Sequence, residues 1–115
     1  MTGNQEARRV RAAQNQSLFR DINERIEQLN EAFATVLPLS EWVCECADTT
    51  CVAHIVLSLS EYEALRADPN RFAVVPGHEV DEVERVVSRH ERYVVVEKLG
   101  AGATVAVEND PRRSR

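Results

Sequence analysis

From Asn4 to Thr35 the chain contains neither proline nor glycine, and alanine, arginine, glutamine and glutamate predominate. Such residues lose little side-chain freedom in a helix, so this stretch is committed to one long helix. Pro38 closes it, because the residue before a proline is pushed out of the helical region, and the first segment is set at 1–37. Leu18, Ile22, Ile26, Leu29 and Phe33, with Val36 or Leu37, recur every three or four residues and form one stripe. That stripe is the expected partner-binding face, offered to the sheet, to a second copy or to another protein. Arg20, Asp21, Glu24, Arg25, Glu27, Gln28 and Glu31 fall mostly on the wet faces, with Asp21 and Arg25 spaced for a helical ion pair. Upstream of Leu18 the stripe thins to Val10 and a few alanines, so that part is expected to fray or to await a partner. A helix this long spans roughly 45 Å, more than a small body needs, and part of it should project.

After Pro38 the period changes. Glu41–Cys46 reads as a short strand and Ala47-Asp48-Thr49-Thr50 as a polar turn. Ala53, Ile55, Leu57 and Leu59 then alternate with His54, Val56 and Ser58 as a second strand. Ser60 with Glu63 makes a capping box for a helix from Glu61 to about Ala67, ended by Asp68-Pro69-Asn70. Phe72–Val75 is a strand stopped by Pro76-Gly77. Glu79 or Asp81 leads into a helix through Val83, Val86 and Val87 to about His90, and Arg92–Lys98 is a further strand. Gly100-Ala101-Gly102 either turns a hairpin into Thr104–Val107 or opens a loose tail over 100–115. The expected fold is α+β: a long N-terminal helix, then a small sheet of about four strands with two short helices over 38–99. About sixty residues make a marginal core without a staple, a metal or a partner.

The staple is suggested by the cysteines. All three, Cys44, Cys46 and Cys51, fall within one short run. An odd number and a polar N-terminus without a secretory core argue against a disulfide framework and for metal binding or redox chemistry in a cytoplasm. C-x-C lets two thiolates leave one side of a strand, and the Asp48-Thr49-Thr50 turn can bring the third back. A closed zinc site takes four ligands, so a histidine is needed. His78, in the turn Pro76-Gly77-His78-Glu79, can be aimed at a fixed point. His54 is the alternative, although its odd separation from Cys51 along a strand points it the other way. His90 reads as a partner of helix C-terminal carbonyls.

The same residues resemble a family of small uncharacterised actinobacterial proteins. The likeness runs through Cys44-Glu45-Cys46-Ala47-Asp48, Cys51, Ser60-Glu61-Tyr62-Glu63, Asp68-Pro69-Asn70-Arg71-Phe72, Pro76-Gly77-His78-Glu79 and Tyr93–Lys98. It extends back to Phe19-Arg20 and Asn23–Ile26. It implies a bacterial cytoplasmic setting and supplies no activity. A looser similarity to CDGSH iron–sulfur proteins, which also use C-x-C, a third cysteine and a histidine, keeps a [2Fe–2S] centre as the alternative to zinc. The shorter spacing and the missing Cys-Asp-Gly-Ser-His run depart from that pattern.

Charge and missing motifs narrow the function classes. The net charge is −5, and arginines gather at the two ends: Arg8, Arg9 and Arg11, then Arg112, Arg113 and Arg115. The body between them is more acidic still and repels a phosphate backbone, leaving nucleic acid only the basic ends, which read first as frayed tails. No apolar run is long enough to cross a membrane. Neither a phosphate-binding glycine loop nor C-x-x-C is present, and Glu79, Asp81, Glu82 and Glu84 are explained by a helix start. Trp42, Tyr62 and Tyr93 are expected in the core, the tyrosines with wet hydroxyls, and Arg66 and Arg71 on the surface. The expectation is a non-catalytic, zinc-stabilised interaction or regulatory module that meets a protein partner or a second copy through its helix. The alternative is a thiol or iron–sulfur redox sensor using the same cysteines.

Overall fold

The computed structural model describes residues 2–31 and 39–114. Phe33, Val36, Leu37, the expected helix stop at Pro38, and Arg115 lie outside the described residues. Helix α1 (Thr2–Glu31) is followed by β1 (Ser40–Val43), β2 (His54–Leu57), α2 (Leu59–Arg66), β3 (Arg71–Val74), β4 (Glu84–Arg89), β5 (Val94–Lys98), α3 (Ala101–Glu108) and a 3-10 turn (Pro111–Ser114). The strands form two antiparallel sheets, β1-β2 and β3-β5-β4, so the fold is α+β as expected, with its strands divided between two sheets.

Alternation along β3 and β5 makes the layers. Phe72, Val74, Val94 and Val96 point to one side, onto Cys44, Cys46 and Ala106 of α3. Ala73, Tyr93 and Val95 point to the other, where they join Trp42, Ile55, Leu57, Tyr62 and Leu65. Trp42 stacks on Tyr62 with ring centroids 4.2 Å apart, and its indole donates to Leu57 O at 3.0 Å. Both expected tyrosines are in the core, but neither hydroxyl is left to water alone: Tyr62 donates to the buried Glu45 and Tyr93 to Glu61. Helix α2 starts two residues earlier than expected, with Ser58 as its cap and Glu61 completing the box.

Helix α1 packs by its polar side. Gln16, Ser17, Arg20, Asn23, Glu24 and Glu27 are buried, together with Ala12 and Ala13. Of the described residues of the apolar stripe, only Ile26 reaches the core, while Leu18, Ile22 and Leu29 face outward. The reversal is possible because Gln16, Arg20, Asn23, Glu24 and Glu27 each have a partner, which removes most of the cost of burying them; the Ser17 hydroxyl has none among the described residues. Arg20 donates to Pro69 O and Ala106 O, both at 2.7 Å. Gln16 donates to Glu45 O at 2.9 Å and accepts from Lys98, which also pairs with Glu84 at 2.8 Å. Arg66, expected on the surface, lies buried between Glu24 and Asp110.

Three further expectations are corrected. The segment through Val83, Val86 and Val87 is strand β4, bulged between Val86 and Ser88, so His90 follows a strand and stacks on Tyr93. Residues 101–108 form helix α3 in place of a hairpin or a tail. A Cβ on Gly102 would lie 2.9 Å from the backbone oxygen of Arg9, so its glycine is what admits α3 against the front of α1. That front part is therefore docked, not frayed, and Arg9 donates to Glu82 O at 3.2 Å. At the other end, Arg112 pairs with Glu24 at 2.8 Å, Glu27 at 2.7 Å and Glu63 at 2.9 Å. Of the terminal arginines, Arg8 pairs with Glu82 and Arg112 with this acidic group, so the two ends are tied to the body at these points.

Candidate metal centre

The strand that carries Cys44 and Cys46 runs on from β1 and is held on both edges. Cys44 N donates to Ala53 O at 3.1 Å, and Glu45 N donates to Ala73 O at 2.8 Å. Alternation sends the two cysteine side chains to one side and Glu45 to the other. The Glu45 carboxylate is buried, where it accepts from Asn23 Nδ2 at 2.8 Å, Tyr62 Oη at 3.0 Å and Ala73 N at 2.9 Å. Sequence reasoning passed over Glu45; the available signal was a charged residue locked between two cysteines on a strand.

Cys51 is returned by the turn the sequence suggested. Asp48 Oδ1 accepts from Thr50 N at 2.9 Å and Thr50 Oγ1 at 2.7 Å, and Cys51 N closes the turn on Asp48 O at 3.0 Å. His78 comes from a second turn. Pro76 and Gly77 occupy its centre, Gly77 has φ +96°, and His78 N donates to Val75 O at 2.9 Å. That positive φ suits glycine at the third place of a type II turn. Gly77 N then donates to Glu79 Oε1 at 2.7 Å, and Glu79 pairs with Arg89 at 2.9 Å, which holds the turn against β4.

These two turns and one strand bring four ligand atoms together. The sulfurs of Cys44, Cys46 and Cys51 and a ring nitrogen of His78 all lie within 4.8 Å of one another. His78 Nδ1 is 3.5 Å from Cys44 Sγ and 3.6 Å from Cys51 Sγ. Zinc bonds of about 2.3 Å to sulfur and 2.0–2.1 Å to nitrogen, arranged tetrahedrally, put S and N about 3.6 Å apart. The donor set and these two edges therefore fit a single tetrahedral ion. His54 is exposed and faces Glu41 at 3.4 Å, away from the cysteines.

The surroundings favour the thiolate at Cys46 and oppose it at Cys44 and Cys51. Val75 N donates to Cys44 Sγ at 3.2 Å, and the Cys46 sulfur lies 3.9 Å from Asp48 O. A proton shared between neighbouring thiols holds Cys46 down to about 5, because Cys44 donates to it, and pushes Cys44 up for the same reason. Burial pushes the Cys51 thiol up. Cys44 and Cys46 are buried and Cys51 and His78 are partly open; beside them a cavity of about 260 Å³ is bordered by Cys46, Asp48, His78 and Glu79. Among the described residues no other group of histidines, cysteines and carboxylates converges in this way, and no described helix is long and apolar enough to cross a membrane. No protein-family model, no curated protein and no solved structure matches this chain.

Proposed function

We propose that this chain is a non-catalytic, zinc-stapled module whose metal centre fixes the strand beneath α1, leaving the outer face of that helix to meet a partner. The observation that carries the reading is the position of His78 Nδ1, at tetrahedral-edge distance from two cysteine sulfurs. Four protein ligands complete the shell of a structural zinc and leave no position for a reacting water. A two-iron cluster divides its ligands between two metals and spreads them more widely, so the tight packing of all four atoms supports one ion. Zinc also supplies what the body lacks in size, since the binding free energy of a structural site is folding free energy. Thiolate ligands suit a reducing compartment such as a bacterial cytoplasm.

The test is elemental analysis of protein purified without tag or chelator, read beside the visible spectrum. One zinc per chain and no colour supports the reading. Iron with visible absorbance replaces it with a cluster, and protein free of metal overturns it.

A further inference from the structure

We propose that the partner of α1 is a second copy of this chain, bound antiparallel across a two-fold axis near the Asn23–Glu24 peptide. This deepens the interaction part of the reading above and rests on it in that respect, but it does not depend on the identity of the metal.

Leu18, Ile22 and Leu29 are 60%, 45% and 69% exposed on the outward face of α1, although the sequence places them on an apolar stripe. Asp21 and Arg25 lie on the same face, both exposed, and neither forms an ion pair among the described residues despite their i,i+4 spacing. The order of these residues is self-complementary. Leu18 and Leu29 lie equally far on either side of the Asn23–Glu24 bond, and so do Ile22 and Arg25. In an antiparallel pair about that point, each Leu18 meets Leu29 of the second copy, and Ile22 lies along the stem of the second copy's Arg25. The guanidinium of that Arg25 then reaches Asp21. The contact is isologous, so each of these pairings occurs twice.

Two features of the fold fit this occupant. Beside Leu18 a shallow cavity of about 260 Å³ is bordered by Gln14, Ser17, Asp21 and Asn109, room for the leucine the second copy would bring there. The inner face of α1 is already fully engaged by the body, so pairing through the outer face needs no rearrangement. Parallel pairing in register would set Asp21 against Asp21 and Arg25 against Arg25, which disfavours it. A single helix face buries less than the roughly 800 Å² per partner of standard interfaces, so the association is weak.

The experiment is sedimentation equilibrium of the full chain from about 10 µM to 1 mM, a range suited to a small interface, with metal content measured on the same samples. The wild type should move from monomer to dimer across this range. Leu18→Glu, Asp21→Arg and Arg25→Asp should each weaken dimerisation at least tenfold. All three positions are exposed, and circular dichroism confirms that each variant keeps its helix. An equimolar mixture of Asp21→Arg and Arg25→Asp should dimerise more tightly than either variant alone, because each reversed site then faces its complement. A monomer at 1 mM, a dimer indifferent to Leu18→Glu, or a mixture no tighter than the separate variants overturns the proposal. Zinc with no dimer leaves the metal reading standing alone, and a dimer without metal does the reverse.

Discussion

Asn23, in the C-terminal half of α1, donates to the carboxylate of Glu45, the residue between Cys44 and Cys46, at 2.8 Å. The same side chain brackets Val43, donating to its carbonyl at 2.8 Å and accepting from its amide at 2.9 Å. Because successive side chains of a strand point to opposite sides, the candidate metal holds this segment through Cys44 and Cys46 while the helix holds it through Glu45. The helix and the candidate metal centre thus share one strand, so loosening either should loosen the support of the other.

Asn23→Leu keeps the branched shape of the side chain and removes all three hydrogen bonds. Each buried polar group left without a partner costs about 1–3 kcal/mol, and Val43 loses the Asn23 partner of both its amide and its carbonyl, while Glu45 loses one of three donors. Urea unfolding should therefore show a loss of at least about 2 kcal/mol. Amide exchange should rise along α1 before it rises in β3 and β5. Unchanged exchange in α1 would mean that the Asn23 contacts do not hold the helix.

Substitution of the histidines should separate the two ligand candidates. Removing a group that only supports a metal ligand costs about 10–100-fold in affinity, so removing a ligand should cost more. His78→Ala should thus weaken zinc binding by more than about 100-fold in a competition titration with a chromophoric chelator. His54→Ala, which loses only an exposed contact with Glu41, should bind as the wild type does. Equal effects of the two changes would remove His78 from the shell.

Chelation should act as a folding perturbation. A ligand present at 1,000 times its dissociation constant stabilises the state that binds it by about 4 kcal/mol. Stripping zinc with excess chelator should lower the unfolding free energy by about that amount, and restoring zinc under reducing conditions should recover it. Core residues of the cluster around Phe72 and Val96 should lose protection together with the cysteine strand. A melting temperature that ignores the chelator would show that the site is not structural.

Different parts of this structure were legible to different degrees, for identifiable reasons. The metal group could be read because its chemistry is carried by residue type and by two turns with strong local signals, Asp48-Thr49-Thr50 and Pro76-Gly77. Helix α1 could be read from its lack of breakers, but its buried face could not. The hydrophobic pattern pointed to Leu18, Ile22 and Leu29, whereas the body selects Arg20, Asn23 and Glu24 through long-range hydrogen bonds that no periodicity encodes. Strand β4 was mistaken for a helix because Val83, Val86 and Val87 have helical spacing; the bulge between Val86 and Ser88 breaks the strand alternation that would have revealed it. Helix α3 was missed because its valines and glycines favour other states locally, and close packing on α1 overrides that preference.

Among the acidic residues around Arg112, Glu27 gives a pH dependence of opposite sign to ordinary acid unfolding. Glu27 lies beside Glu63, Glu24 and Arg112, with Arg66 and Asp110 behind them. Burial first, and the neighbouring Glu63 second, push the Glu27 carboxyl up to about 7. Glu63 is held down to about 2, first by Arg112 and then by Glu27. A carboxyl with a folded pKa above its unfolded value binds its proton more tightly in the native state. Its contribution is therefore complete below about pH 4.5 and is lost as pH rises through about 7. Glu63 contributes in the reverse sense, above about 4.5, with loss towards 2. Glu27→Gln mimics the protonated form at every pH. Relative to wild type, the variant should gain stability progressively from about pH 5 to pH 8. Zinc is held saturating for both proteins, so competition between protons and metal cancels in the difference. Urea midpoints measured at intervals over that range provide the check, and a difference between the two proteins that stays constant with pH would show that Glu27 does not titrate there.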